Sequence, residues 1–204
     1  MTTRLHRGDL PNLNAYSGSV AIDTETMGLD PNRDRLCVVQ LSPGDGTADV
    51  VQIAAGQNDA PNLKRLLTDP AVLKIFHFAR FDLASLYKAF GVMPAPVYCT
   101  KIASRLSRTY TDKHGLKDLV RELTGTDLSK QQQSSDWGGE KLTDAQIAYA
   151  ASDVLYLHET KAKLDVMLAR EGRMELADAC FRFLPDRVRL DLGGWADEDI
   201  FAHS

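Results

Sequence analysis

The sequence predicts an α/β fold with a central mixed five-stranded sheet flanked by helices, and three observations point there. Short apolar runs rich in Val, Ile, Leu and Tyr recur at 19–24, 36–41, 48–53, 72–77 and 97–99. One helical crossover separates the early strands, and from Thr100 onward the pattern is helical to the end. The first apolar run, Val20-Ala21-Ile22, stops abruptly at two carboxylates, Asp23 and Glu25.

Residues 1–18 read as an irregular or edge segment leading into the strand at 19–24. Gly28 to Arg35 is a loop, and Leu36 to Leu41 a second strand. Pro43-Gly44-Asp45-Gly46 is a strong turn signal before a third strand at 48–53. Pro61 near a first helical position opens a short helix that Asp69-Pro70 stops. Val72 to His77 is a fourth strand. It runs into a helix over 80–90 whose Leu83, Leu86, Tyr87 and Phe90 recur at helical spacing and which Gly91 closes. Val97-Tyr98-Cys99 is a brief fifth strand. The later helices break near Gly115, Gly125, Gly138-Gly139 and Gly172, and Thr143-Asp144 caps a long helix over 143–169.

The length of 204 residues fits one domain over 1–204, with a segment from about 172 available for assembly. Apolar residues make up 44% and charged residues 25%, an ordinary globular balance. No apolar run approaches the roughly 20 residues of a membrane span. The start of the chain is polar, and Cys37, Cys99 and Cys180 are odd in number with no C-x-x-C pair. A reducing, cytoplasmic location is therefore expected. The net charge of −4 is unlike that of a protein gripping long nucleic acid, whose affinity comes from many neutralised phosphates. A substrate with few phosphates is the better match.

Residues i and i+2 of a strand share a face, so Asp23 and Glu25 project together where a buried strand opens out. Hard oxygen ligands that repel each other suit Mg²⁺ or Mn²⁺. Asp82 stands just past the fourth strand, in the kind of crevice where α/β sheets bind ligands. Tyr149 and Asp153 are four apart on one helix and share its face, and Ala150-Ala151 lets that helix lie close to the sheet.

This set, Asp23-x-Glu25, then Asp82, then Tyr149-x-x-x-Asp153, resembles the DEDDy class of 3′–5′ exonucleases, the ribonuclease D-like group of the ribonuclease H-like fold. Residues 33–53, Lys101 to Gly115, Ser129 to Trp137 and the ending Asp199 to Ser204 are similar to its short bacterial branch, the nanoRNase C group. The chain leaves no room for the helical C-terminal domains of full-length ribonuclease D. The resemblance implies two cations, Mg²⁺ or Mn²⁺, held by Asp23, Glu25, Asp82 and Asp153. It implies hydrolysis of the 3′-terminal phosphodiester to 5′-mononucleotides, with Tyr149 orienting or deprotonating the attacking water. It also implies very short RNA as substrate, dinucleotides in particular, and a homo-oligomer, an octamer. Leu190, Leu192, Trp195, Ile200 and Phe201 either fold back on the domain or fill a neighbour's pocket.

For substrate contacts, Met27-Gly28-Leu29 follows the acids directly, with Leu29 as a wedge between bases, and His77 ends the fourth strand. Lys130, Gln133, Ser134 and Trp137 form a polar run with one stacking aromatic. One departure from the family matters. Relatives often read His-Asn-x-x-Phe-Asp where this chain reads His77-Phe78-Ala79-Arg80-Phe81-Asp82. Phe78 cannot make the polar contact of an Asn. The alternatives are a general exonuclease on longer RNA or DNA ends, and an inactive nucleic-acid-binding scaffold.

Overall fold

The computed structural model describes residues 2–129 and 131–203. Six strands form its sheet: β1 (Thr2–Arg7), β2 (Ser19–Thr26), β3 (Leu36–Ser42), β4 (Thr47–Gln52), β5 (Leu73–Phe76) and β6 (Val97–Cys99). Their order is β1-β4-β3-β2-β5-β6. β2, β3 and β4 form an antiparallel meander, while β5 and β6 extend it in parallel beyond β2. The expectation of five strands is corrected to six, because Thr2–Arg7 pairs in parallel with β4. Its sequence hid it: every residue but His6 is exposed, so no apolar alternation marks a strand. Asp49 fastens this edge, taking Arg4 Nε at 2.7 Å, His6 Nε2 at 2.7 Å and the Tyr16 hydroxyl at 2.6 Å.

Helices α1 (Pro61–Thr68) and α2 (Ala79–Phe90) follow β4 and β5. Then come α3 (Thr100–Ser107), α4 (Leu116–Thr124), α5 (Asp144–Leu155), α6 (Leu157–Arg170) and α7 (Met174–Leu190). The single helix expected over 143–169 is two, broken at Tyr156 (φ −105°, ψ −1°). The break serves two packing directions: α5 lies on β2, β3 and β4, whereas α6 packs on α3, α4 and β5. Thr143 and Gln146 close a capping box at the start of α5. Ala150 and Ala151, 0% and 2% exposed, keep α5 close to the sheet.

The core runs through the sheet, with Val20, Ala21, Ile22, Val38, Val39, Leu41, Val50 and Val51 all fully buried. β3 is buried along its whole length, as a central strand covered on both faces must be. After α7 the chain makes one π-helical turn, Asp191–Trp195, and doubles back. Arg80 pairs with Asp191 and donates to Ala196 O at 2.8 Å, tying the tail to α2. Among the described residues, no helix is long and apolar enough to cross a membrane.

Candidate active site

β2 delivers the first two acids. Asp23 stands opposite Gln40 and Glu25 opposite Val38, and a register shift after Glu25 ends regular pairing. α5 delivers Asp153 over the same strand end. One carboxylate oxygen from each of Asp23, Glu25 and Asp153 falls within 4.8 Å of the other two. Asp82, in the first turn of α2 and 2% exposed, accepts from Thr24 Oγ1 at 2.7 Å. Its charge acts on Glu25, and that of Asp23 acts on it. The fold thus brings Asp23, Glu25 and Asp153 together, with Asp82 near enough for charges to interact but outside that group of three.

Gathering them is electrostatically unfavourable. Burial first, then the neighbouring acids, pushes Glu25 up to about 10. Burial followed by Asp23 raises Asp153 to about 8 and Asp82 well above the carboxylate range. Asp23 rises to about 7 through burial, with the Thr24 backbone and Gln40 opposing. Among the described residues, no lysine or arginine figures among the groups acting on the four. Hard oxygen donors in excess, without a protein cation to balance them, are the donor set of a divalent metal site. Tyr149 sits beside them with its phenol held protonated, by burial first and then by Asp153, Glu25 and Asp23.

Asp23, Glu25 and Asp153 open into a cleft of about 690 Å³ that Met27, Gly28, Leu29, His77, Gln133, Ser134 and Trp137 also line, while Asp82 stays buried off it. Lys130 lies outside the described residues. Leu29 is 87% exposed, a free side chain at the mouth. Its loop is braced: Thr26 Oγ1 donates to Gly28 O, and Asp34 Oδ2 accepts from Asp30 N at 3.0 Å. His77 Nδ1 lies 2.9 Å from Thr100 Oγ1, and burial, then Lys101, lowers its pKa to about 3, so it is neutral. Trp137 is 3% exposed and packs at 6.0 Å on the Tyr149 ring. It backs the phenol and has little face left for a base.

Two contributors escaped sequence reasoning. Gln40, fully buried, donates from Nε2 to Asp23 Oδ2 at 2.6 Å, and Thr24 holds Asp82. A polar residue inside the apolar run Leu36–Leu41 was the available signal for Gln40. The basic series after Lys101 divides. Arg108 is buried and pairs with Glu122, Arg121 pairs with Asp118 at 3.0 Å, and Lys101 and Lys117 face the cleft.

The sequence profile of a 3′–5′ exonuclease family matches residues 9–169. The chain belongs to that family. Among its exonuclease relatives, ribonuclease D of Gluconacetobacter diazotrophicus is 39% identical over 167 residues, 82% of this chain. The chain spans only 42% of that protein's length. Among solved structures it is similar to Brucella melitensis NrnC with bound Mg²⁺, at 64% identity and a TM-score of 0.97, with all of both chains covered. NrnC bound to pGG matches equally well, at 65% identity, TM-score 0.97 and full coverage of both chains. The α/β fold read from the sequence is the one these exonucleases share.

Proposed function

We propose that the chain is a metal-dependent 3′–5′ exoribonuclease that hydrolyses short oligoribonucleotides, dinucleotides above all, to 5′-mononucleotides. The carrying observation is the convergence of Asp23, Glu25 and Asp153 within 4.8 Å, with Asp82 near enough for charges to interact and, among the described residues, no lysine or arginine in balance. Two divalent cations, Mg²⁺ or Mn²⁺, fit this donor set, with the four acids as their ligands. When bound they supply an activated water and neutralise charge on the phosphodiester under attack.

The chain's own residues do the rest. Gln40 fixes the orientation of Asp23, and Thr24 that of Asp82. Tyr149, whose hydroxyl burial and the neighbouring acids keep protonated in the metal-free site, orients or deprotonates the attacking water. Leu29 separates the two terminal bases. Support for a short substrate comes from the net charge of −4 and from full-length similarity to the NrnC solved with pGG. A second reading, a general exonuclease on longer strands, is favoured by the ribonuclease D relatives.

The test compares turnover of an RNA dinucleotide with RNA and DNA 20-mers in Mg²⁺ and in Mn²⁺. Faster turnover of the dinucleotide supports the first reading, and faster turnover of a 20-mer the second. Full hydrolysis by Asp23→Ala ends both. A homo-oligomer, an octamer, is proposed with it, supported by Trp195, Ile200 and Phe201, which are 46%, 42% and 78% exposed. Light scattering of a clean monomer would remove that part alone.

A further inference from the structure

Phe78 takes the position where relatives often carry Asn, and its backbone is left-handed (φ 66°, ψ 45°). Among the described residues no other non-glycine has a positive φ. A bulky aromatic is a poor occupant of that conformation, so something must favour it there. The ring is 44% exposed at the wall of the catalytic cleft. Lys101 Nζ rests 4.3 Å from its centroid.

Lys101 is unusual in its own right. It stands in the first turn of α3, where the helix dipole disfavours a cation. Among the described residues it has no carboxylate partner, unlike Lys64, Lys161 and Lys163 but like Lys117, which also lines the cleft. It does not offset the four acids either. It is a cation parked on an aromatic face, facing a cleft, with no anionic partner among the described residues.

We propose that Phe78 is a positioning residue that holds the Lys101 ammonium in the cleft as the electrostatic contact for a substrate phosphate outside the carboxylate cluster. The inference rests on the exonuclease reading of this site. Arg would stack there too, but a lysine offers a compact point charge whose direction only its support can fix. Phe78 supplies that support without neutralising the charge, as a carboxylate would.

The experiment uses the full chain and a 5′-phosphorylated RNA dinucleotide. It measures kcat and KM in Mg²⁺ across a salt series, and dinucleotide binding in Ca²⁺ across the same series. For Lys101→Met, KM rises about tenfold and kcat changes less than twofold. The slope of log(kcat/KM) against log salt flattens by about 0.7, the loss of one phosphate contact on a single strand. Phe78→Leu raises KM about threefold, and the double variant is no worse than Lys101→Met alone. Phe78→Gly melts no lower than wild type, because glycine relieves the left-handed backbone, yet it loses affinity like Phe78→Leu.

An unchanged salt slope in Lys101→Met overturns the phosphate contact. Additive effects in the double variant overturn the positioning role, since Phe78 would then act on its own. Wild type that binds the dinucleotide without turning it over defeats the functional reading, while the salt slope of binding still decides this one. Wild type that does not bind it defeats both.

Discussion

Thr24 Oγ1 donates to Asp82 Oδ1 across 2.7 Å, and that bond joins the end of β2 to the first turn of α2. Asp82 is 2% exposed, so no water replaces a lost donor. Thr24→Val keeps the shape and removes the hydroxyl. It is expected to destabilise the protein by about 1–3 kcal/mol, the range for an unsatisfied buried group. Hydrolysis should fall at least tenfold as Asp82 loses its orientation. Urea unfolding together with dinucleotide turnover checks both, and wild-type values for the two would refute the role.

The acid cluster makes stability depend on pH and metal together. Each acid has a folded pKa above its ordinary value, so the native state keeps protons that the unfolded chain releases from about pH 4 upward. The cluster's contribution to the stability of the metal-free protein is therefore full below that pH. It declines as pH climbs through about 7 for Asp23, about 8 for Asp153 and about 10 for Glu25. Melting in EDTA should occur at lower temperature at pH 9 than at pH 5, and millimolar Mg²⁺ should recover most of the difference. Asp153→Asn should narrow the EDTA difference while abolishing activity. A melting temperature in EDTA that is flat over this range would contradict the cluster's electrostatics.

On the proposed reading Tyr149 acts through its hydroxyl, since its ring packs on Trp137 at 6.0 Å. Tyr149→Phe preserves that packing. The expected result is a kcat lower by about 10²-fold, the low end of what a positioned proton-handling group contributes. KM, melting temperature and Mg²⁺ affinity should stay near wild type. If the phenol only orients the water, the alkaline limb of the pH–rate profile should not move in this variant, whereas a shifted limb would assign Tyr149 the role of base.

Gly28 is required by space. A Cβ there would sit 2.2 Å from Asp34 Oδ2, and Asp34 is itself held by Arg33 Nε at 2.8 Å and by the Asp30 N–H. Gly28→Ala must displace the Asp34 carboxylate and so break its hydrogen bond from Asp30 N, which braces the loop that carries Leu29. KM for the dinucleotide should rise about tenfold with little change in melting temperature, since Leu29 is exposed. Leu29→Ala should give a similar KM. If Gly28→Ala left KM unchanged, the bracing of this loop would not matter to binding.

Much of this was legible from local pattern. β2 announced itself by an apolar run, and its acids by the same-face spacing of Asp23 and Glu25. Tyr149 and Asp153 shared a helix face because i and i+4 always do. β1 was not legible, because an exposed edge strand has no buried face to imprint on its sequence. The break at Tyr156 was not legible either. It answers to what α5 and α6 pack against, and no local breaker marks it.

The sequence by itself determined five of the six strands and most of the helices, the four acids with their phenol, and the family they resemble, since each rests on residue type at short spacing. Only the tertiary structure decided which polar groups serve those acids. It chose Gln40 and Thr24, turned Trp137 inward, took Arg108 into the interior, and left Lys101 on the Phe78 ring. The physical reason is range: periodicity encodes which face of an element is apolar, whereas a hydrogen bond or a parked charge depends on two elements meeting at a few ångströms.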